Sequence, residues 1–175
     1  PEYKSILIFS STKKKVTDIV KALKKKSYSV EGISSDLEQA ERKEVVNRFK
    51  ARHTRILVAT DVMSRGMDIK DINLIINYDV PSDAEDYVHR VGRTARAETT
   101  GAALTFVTPD DMYKLKQIER LIENQIPKLS IPQELGEGPS WKESAGRDRK
   151  GTGKTGKGKN RKKSTGKNKQ NKNRQ

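Results

Sequence analysis

Three arginines recur at every third position in the segment His-Arg-Val-Gly-Arg-Thr-Ala-Arg, which spans residues 89–96. Residues at this spacing are neighbours on a helix or in a tight loop, so we expect the guanidinium groups of Arg90, Arg93 and Arg96 to lie close together. A guanidinium is planar, always charged and able to bind two phosphate oxygens at once. The cluster therefore indicates an anion site suited to neutralising charge during phosphoryl transfer. A solvated basic face is the alternative, but Gly92 lets the backbone approach a ligand closely and favours a site.

A second segment, Ala-Thr-Asp-Val-Met-Ser-Arg-Gly-Met-Asp, spans residues 59–68 and follows an apolar run. Ligands of open parallel sheets bind beyond the carboxyl ends of the strands. Thr60 and Asp61 fall at such an end, and Gly66 and Asp68 lie in the loop beyond it. The segment is therefore predicted to line a ligand crevice.

Short apolar runs alternate with helical patterns up to about residue 126, which predicts an α/β fold with a parallel sheet, right-handed crossovers and helices on its faces. Each run is continuous, as expected for strands buried on both faces. The runs are Ile6 to Phe9, Val30 with Ile33, Ile56 to Ala59, Leu74 to Ile76 and Ala103 to Val107. The helical stripes are Val16, Ile19, Val20 and Leu23, and then Met112, Leu115, Ile118, Leu121, Ile122 and Ile126.

Capping signals predict where three helices begin. Ser11 or Thr12 can cap the first helix, and Ser-Asp-Ala-Glu at residues 82–85 has the pattern of a capping box, so the helix with the arginines should begin near Ser82. Thr108 and Pro109, followed by two acidic residues, predict the start of the last helix.

Composition divides the chain into a folded domain, residues 1–135, and a tail, residues 136–175. Residues 142–175 hold 14 basic and 2 acidic residues, which supply +12 of the formal net charge of +14. The tail is rich in Lys, Gly and Asn and poor in apolar residues, so we expect it to be disordered and to bind RNA phosphates. A solubilising linker is the alternative interpretation.

Residue counts exclude several kinds of site. The chain has no cysteine and two histidines, so disulfides and clusters of Cys or His around a metal are not expected. No apolar run approaches the roughly 20 residues of a membrane span, and no signal peptide opens the chain. We expect a cytoplasmic monomer that binds no membrane.

Four motifs in the expected order make the chain resemble the C-terminal RecA-like domain of the DEAD-box ATP-dependent RNA helicases. Ile-Leu-Ile-Phe-Ser-Ser-Thr at residues 6–12 is similar to motif IV, and Gln-Ala-Glu-Arg at residues 39–42 to the element that follows it. Residues 59–68 are similar to motif V and residues 89–96 to motif VI. The sequence departs from the family at Ala95, where Gly is usual, and at Ser34 and Ser35, where His-Gly is common.

The resemblance implies roles for named residues at a composite ATP site. Arg93 and Arg96 match arginines that reach the γ-phosphate, with Arg96 as the arginine finger, and Asp68 matches the acid that hydrogen-bonds the ribose. His89 and Arg90 match positions that couple the nucleotide site to motif V and to the facing domain, and His89 is also counted among the catalytic residues. Arg65, which belongs to motif V, is expected to share the coupling role. Thr12, Arg42, Thr60 and Gly66 match positions close to the RNA backbone.

The resemblance also implies what another domain must supply. The chain contains no P-loop and no Asp-Glu-Ala-Asp motif, and in the family these parts lie on a preceding RecA-like domain, which is the expected partner besides RNA. ATP with Mg²⁺ is the expected cofactor, and the Mg²⁺ ligands belong to that other domain. Pro1 is then expected to be a cut in the interdomain linker, and the chain alone should not hydrolyse ATP.

Two alternatives come from other classes of protein. A non-enzymatic RNA-binding module would use the α/β domain as a scaffold and bind RNA through the basic tail. A DNA helicase or remodeller of the same superfamily would also carry an arginine motif, but its motif usually begins with Gln, and here it begins with His89.

Overall fold

The computed structural model describes residues 3–61, 69, 72–94 and 101–136. Within these residues the chain forms one parallel sheet of five strands in the order β2-β3-β1-β4-β5. The strands are β1 (Ile6–Phe9), β2 (Val30–Ile33), β3 (Ile56–Ala59), β4 (Leu74–Asn77) and β5 (Ala102–Thr105). The helices are α1 (Lys13–Lys25), α2 (Gln39–Lys50), α3 (Ala84–Val91) and α4 (Met112–Leu121), and Pro109–Asp111 and Gln133–Leu135 form 3₁₀ turns.

Helices cover both faces of the sheet, which confirms the predicted α/β sandwich. On one face α1 inserts Val16 among strand residues that include Ile8 and Val58. On the other face α2 inserts Val45 and Phe49 among a second set of strand residues. Side chains alternate between the faces of a strand, so successive residues of β1 and β3 serve the two clusters in turn. The two core clusters consist of Leu7, Phe9, Ile33, Val45, Phe49, Leu57, Ala59, Ile69, Ile72 and Ile75, and of Ile8, Val16, Val30, Ile56 and Val58.

Strand β5, at one edge of the described sheet, differs from the prediction. β5 begins at Ala102 and ends at Thr105, whereas the apolar run predicted a strand that continued to Val107 and was buried on both faces. Ala103 is exposed, because β5 has β4 as its one neighbour among the described strands. A continuous apolar run does not distinguish such a position from a central strand.

Side chains cap the first turns of the helices, and one of these caps lies at a different residue from the predicted one. Thr12 is the N-cap of α1, and its hydroxyl accepts a hydrogen bond from the Lys15 backbone N–H at 3.3 Å. The N-cap of α3 is Asp83 rather than Ser82, because the Asp83 carboxylate accepts from the Glu85 N–H at 3.0 Å. α2 was not predicted from the apolar pattern, although Glu41 accepts from the Glu38 N–H at 2.9 Å at its start.

The last helix is shorter than its apolar stripe. Met112, Leu115 and Ile118 are buried as predicted, but α4 ends at Leu121, which is 47% exposed. Ile122 and Ile126 lie beyond the helix and pack, in a third cluster, against Val80, Tyr87 and Ile118. No described helix has the length and apolar character that crossing a bilayer would require.

Candidate functional site

The sheet register brings the predicted site residues to one edge. Phe9, the last residue of β1, pairs with Ala59 on one side and with Asn77 on the other. The chain therefore leaves β1, β3 and β4 at the same level, and the backbone N–H of Ser10 donates to the Ala59 carbonyl at 3.0 Å. Thr60 follows directly after β3, at this carboxyl edge.

Arg90 lies on the inward side of α3 and is 3% exposed. Its Nε and Nη2 donate to the two carboxylate oxygens of Asp61 at 2.6 and 2.7 Å, which makes a bidentate ion pair. Its Nη1 donates to the Asn77 side-chain oxygen at 3.0 Å and to the Asp79 backbone carbonyl at 2.9 Å. The guanidinium carbon lies 5.0 Å from the centroid of the Phe9 ring. Arg90, Asp61, Asn77 and Asp79 are called the Arg90 cluster below.

The Arg90 cluster joins three segments that are far apart in the sequence. Asp61 belongs to the segment after β3, Asn77 ends β4, and Phe9 ends β1. Asn77 is fully buried and donates from Nδ2 to the Thr105 hydroxyl at 3.0 Å, which adds β5. A buried guanidinium is stable only when its donors are satisfied, and these partners satisfy it.

Burial of Arg90 corrects one expectation. The spacing predicted that three arginines would project together towards an anion, but Arg90 is enclosed by protein and its guanidinium is held by a carboxylate of the same chain. The 3.6-residue repeat of α3 turns this position towards the sheet. An anion at this edge would therefore not meet the Arg90 guanidinium.

His89 and Arg93 are the predicted nucleotide-side residues that the structure describes. His89 is exposed on α3, and Arg93 is partly exposed just after the helix ends at Val91. The next residue, Thr94, is buried and donates from its hydroxyl to the Ile72 carbonyl at 2.6 Å, which fixes the chain beyond Arg93. The predicted residues Arg65, Gly66, Asp68 and Arg96, the departure at Ala95 and the basic tail lie outside the described residues.

The three predicted RNA-side residues that the structure describes lie in the segments after β1, β2 and β3. Thr12 is exposed at the start of α1, and Thr60 is partly buried. Arg42 is in the first turn of α2, where Nη1 donates to the Gln39 side-chain oxygen at 3.1 Å and Nη2 to the Leu37 carbonyl at 3.5 Å. Its Nε is buried and has no hydrogen-bond partner among the described residues.

Asp79 was missed by the sequence analysis, although it bonds to two of the predicted segments. One carboxylate oxygen accepts from the Ser11 backbone N–H at 2.9 Å and from the Ser10 hydroxyl at 3.2 Å, and the other forms an ion pair with Lys15. Burial raises the pKa of the Asp79 carboxyl, but the hydrogen bonds from Lys15 and Ser11 outweigh this effect and leave the pKa below its ordinary value. A polar Asn-Tyr-Asp sequence directly after an apolar strand was the signal that could have found it.

Among the described residues, no group of three or more His, Asp or Glu side chains is arranged to hold a metal ion. The polar groups described at this edge are guanidinium, hydroxyl and backbone N–H groups, which suit phosphate oxygens, together with the carboxylates of Asp61 and Asp79. The N–H and O–H donors of the described edge therefore suit the phosphates of a nucleotide or of RNA.

Comparisons with known proteins agree with this geometry. Residues 2–98 match the helicase conserved C-terminal domain family. The DEAD-box ATP-dependent RNA helicase CshA of Geobacillus kaustophilus is 44% identical over 126 residues, which are 72% of this chain and 27% of that protein. The chain thus spans about a quarter of the length of the curated relatives it matches.

Two solved structures extend the comparison. The Escherichia coli DEAD-box protein SrmB, solved with regulator of ribonuclease activity A, superimposes with a TM-score of 0.73 at 31% identity, over 80% of this chain and 82% of that chain. Domain 2 of the DEAD-box helicase Mss116p, solved with an RNA duplex, gives a TM-score of 0.65 at 31% identity, over 75% of this chain and 54% of that chain. The chain therefore has the RecA-like fold and belongs to the helicase conserved C-terminal domain family, as a C-terminal domain of the DEAD-box RNA helicases.

Proposed function

We propose that this chain is the second half of an ATP-dependent RNA helicase, in which ATP binds between this domain and a P-loop domain. The observation that carries the proposal is the bidentate Arg90–Asp61 pair, which connects the segment after β3 to the arginine-bearing helix α3. Such a connection allows an event at one segment to change the other. A two-state switch biased by ligand contacts requires this kind of link.

On the nucleotide side, Arg93 and Arg96 bind the γ-phosphate, and Arg96 is the arginine finger. Arg93 is partly exposed directly after α3, and its exposure supports this role. His89 is exposed, directly before the buried Arg90, and acts with Arg93 and Arg96 in catalysis. Arg90 and Arg65 couple these catalytic residues to the residues that bind RNA. Asp68 hydrogen-bonds the ribose. ATP with Mg²⁺ supplies the phosphoryl group and its charge neutralisation, and the Mg²⁺ ligands belong to the P-loop domain.

On the RNA side, Thr12, Arg42, Thr60 and Gly66 bind the phosphate backbone without reading bases. Hydroxyls, backbone N–H groups and guanidinium groups position a nucleic acid strand but carry no sequence information. Arg42 supports this role because its charged side chain is partly exposed in the first turn of α2, where a phosphate can reach it. The basic tail adds affinity that is independent of sequence and falls steeply with salt.

The decisive variant is Arg96→Ala in the full-length protein. An arginine finger contributes roughly 10³–10⁵ to turnover, so we expect RNA-stimulated ATP hydrolysis to fall by about three orders of magnitude while RNA affinity stays within about twofold. Turnover is measured with saturating ATP and RNA, and affinity by fluorescence anisotropy of a labelled single strand. Arg120→Ala, an exposed change in the last turn of α4, is the matched control. Equal turnover in Arg96→Ala and the wild type would remove Arg96 from this role.

The competing function is an RNA-binding module without enzymatic activity, and the +12 charge of residues 142–175 favours it. The mass of the native protein separates the two functions. An antibody raised against this chain should detect a protein heavier than the calculated 19.7 kDa by about one 200-residue domain if a P-loop domain is present in cis. A native band at 19.7 kDa would instead support the binding module.

A further inference from the structure

Asp79 makes contacts in two directions through two different groups. Its carboxylate accepts hydrogen bonds from the Ser11 N–H, the Ser10 hydroxyl and Lys15 Nζ. These three donors belong to residues 10–15, which are called the β1–α1 segment below. Its backbone carbonyl accepts a hydrogen bond from Arg90 Nη1 at 2.9 Å. One residue therefore ties the segment that carries Thr12 to the buried guanidinium of α3.

The carboxylate contacts hold the start of α1 in one arrangement. Ser10 is fully buried, and its backbone N–H already donates to β3, so its position is fixed from the sheet side. Ser11 and Thr12 are exposed and follow a strand end, where the chain could otherwise rotate. The Asp79 carboxylate fixes them from the β4 side, because it accepts the Ser11 N–H and pairs with Lys15, one turn into the helix.

The carbonyl contact makes the same residue part of the Arg90 cluster. Nη1 of Arg90 divides its two bonds between Asn77 and Asp79, while Nε and Nη2 hold Asp61. A shift of the Asp79 backbone therefore changes the acceptor available to Arg90. A chain of packed and hydrogen-bonded groups of this kind can carry coupling between two sites when both sites bias it.

We propose that Asp79 is a positioning residue that couples RNA binding at the β1–α1 segment to the nucleotide site through Arg90. This inference rests on the proposed function, since coupling requires that both ligands bind. When RNA phosphates contact Thr12, the Ser11–Asp79–Lys15 contacts transmit the adjustment to the Asp79 backbone and from there to Arg90 and Asp61. Asp79 itself touches neither ligand.

A purely structural role for Asp79 would lower stability without changing the communication between the two sites. The test therefore measures the ratio of the apparent ATP affinity with saturating RNA to that without RNA, in the full-length protein. Coupling between sites of this kind is typically about 5–150-fold, and the same factor applies in both directions. We expect Asp79→Asn to reduce the ratio at least about threefold, because the amide cannot pair with Lys15.

Asp111→Asn is the matched control. Asp111 is also a partly buried aspartate at a helix start, and it bonds to a lysine and a hydroxyl, Lys114 and Thr108, each at 2.7 Å. Neither partner hydrogen-bonds to the Arg90 cluster or to the β1–α1 segment, although the charge of Asp79 is the smallest of the effects that raise the pKa of Lys114. The control should leave the ratio unchanged while losing the same formal charge.

Lys15→Gln removes the same ion pair from its more exposed side and tests the proposal if Asp79→Asn does not fold. It should lower the ratio in the same direction. A ratio that stays at the wild-type value in folded Asp79→Asn, or in Lys15→Gln when Asp79→Asn is unfolded, overturns the inference. If the wild-type protein itself shows no RNA-stimulated hydrolysis, the proposed function fails instead, so the two failures are distinguishable.

The 175-residue chain gives a second readout that does not depend on catalysis. In a nitrogen-15 NMR spectrum, the Nε–H signal of Arg90 should shift in both Asp79→Asn and Lys15→Gln but not in Asp111→Asn. If the Nε–H signal of Arg90 does not shift in Lys15→Gln, a change at Lys15 does not reach Arg90 through Asp79, and the inference is wrong.

Discussion

Arg90 and Arg42 are both arginines of recognisable helicase motifs, yet the fold treats them in opposite ways. Arg90 is 3% exposed and makes four hydrogen bonds to Asp61, Asn77 and Asp79. Arg42 is partly exposed, its two terminal nitrogens bond to Gln39 and Leu37, and its buried Nε has no partner in the part of the chain that the structure describes. Burial and the number of partners that the fold supplies therefore separate an enclosed arginine from one whose side chain is still partly accessible.

The difference follows from where each arginine enters the fold. Arg90 is in the last turn of α3 and faces the sheet, next to the ends of three strands whose polar side chains converge on it. Arg42 is in the first turn of α2, which holds backbone N–H groups that a helix cannot satisfy internally. The Arg42 side chain favours an anion, whereas the carboxylates of Glu38 and Glu41 already cap the N-terminus of this helix.

The largest effect is expected from Arg90→Ala, which should destabilise the domain by about 3 kcal/mol. Removing one partner of a buried ion pair leaves the other charge without compensation, and such losses are about 3–5 kcal/mol, reduced here because the Asp61 side chain is 25% exposed. Urea unfolding of this chain, followed by circular dichroism, measures the change. Arg42→Ala should cost less than about 1 kcal/mol in the same experiment. Equal losses for the two variants would contradict the comparison.

Arg42→Ala should instead weaken RNA binding, by about tenfold, or about 1.4 kcal/mol. The loss should be the same for different sequences, and the salt slope should fall by about one, since one phosphate contact is removed. Fluorescence anisotropy with two unrelated single strands at several salt concentrations measures both quantities in the full chain. Lys25→Ala is the control, because this exposed lysine ends α1 at the opposite edge of the sheet. An equal loss for Lys25→Ala would assign the binding to total charge rather than to Arg42.

The smallest effect concerns pH and the Asp79 carboxyl. Its pKa in the folded domain lies below the ordinary value, so its ionised form contributes stability above about pH 4, and this stability is lost as the pH falls through the folded pKa. Asp79→Asn should therefore lose less stability between pH 7 and pH 3 than the wild type, by under about 1 kcal/mol because the pair with Lys15 is half exposed. Urea midpoints at the two pH values measure this difference. An identical pH dependence would show that the Lys15 pair does not stabilise the fold.

Strand positions were predictable because buried parallel strands read as short apolar runs. β1, β2 and β3 have the predicted bounds, and β4 extends one residue further, to Asn77. The prediction was weaker at β5 and at the end of α4, because apolar residues there pack from the edge of the sheet and from the segment after the helix. Local sequence does not record which strand becomes an edge.

The sequence by itself determined the fold class and the family, because apolar periodicity and motif spacing are local properties of the chain. Only the tertiary structure decided what each arginine does. The partners of Arg90 come from positions 61, 77 and 79 and meet it only after β1, β3 and β4 have paired in register. Burial and hydrogen-bond satisfaction depend on this meeting of distant segments, and a guanidinium that looked like a ligand-binding group in the sequence became part of the protein interior.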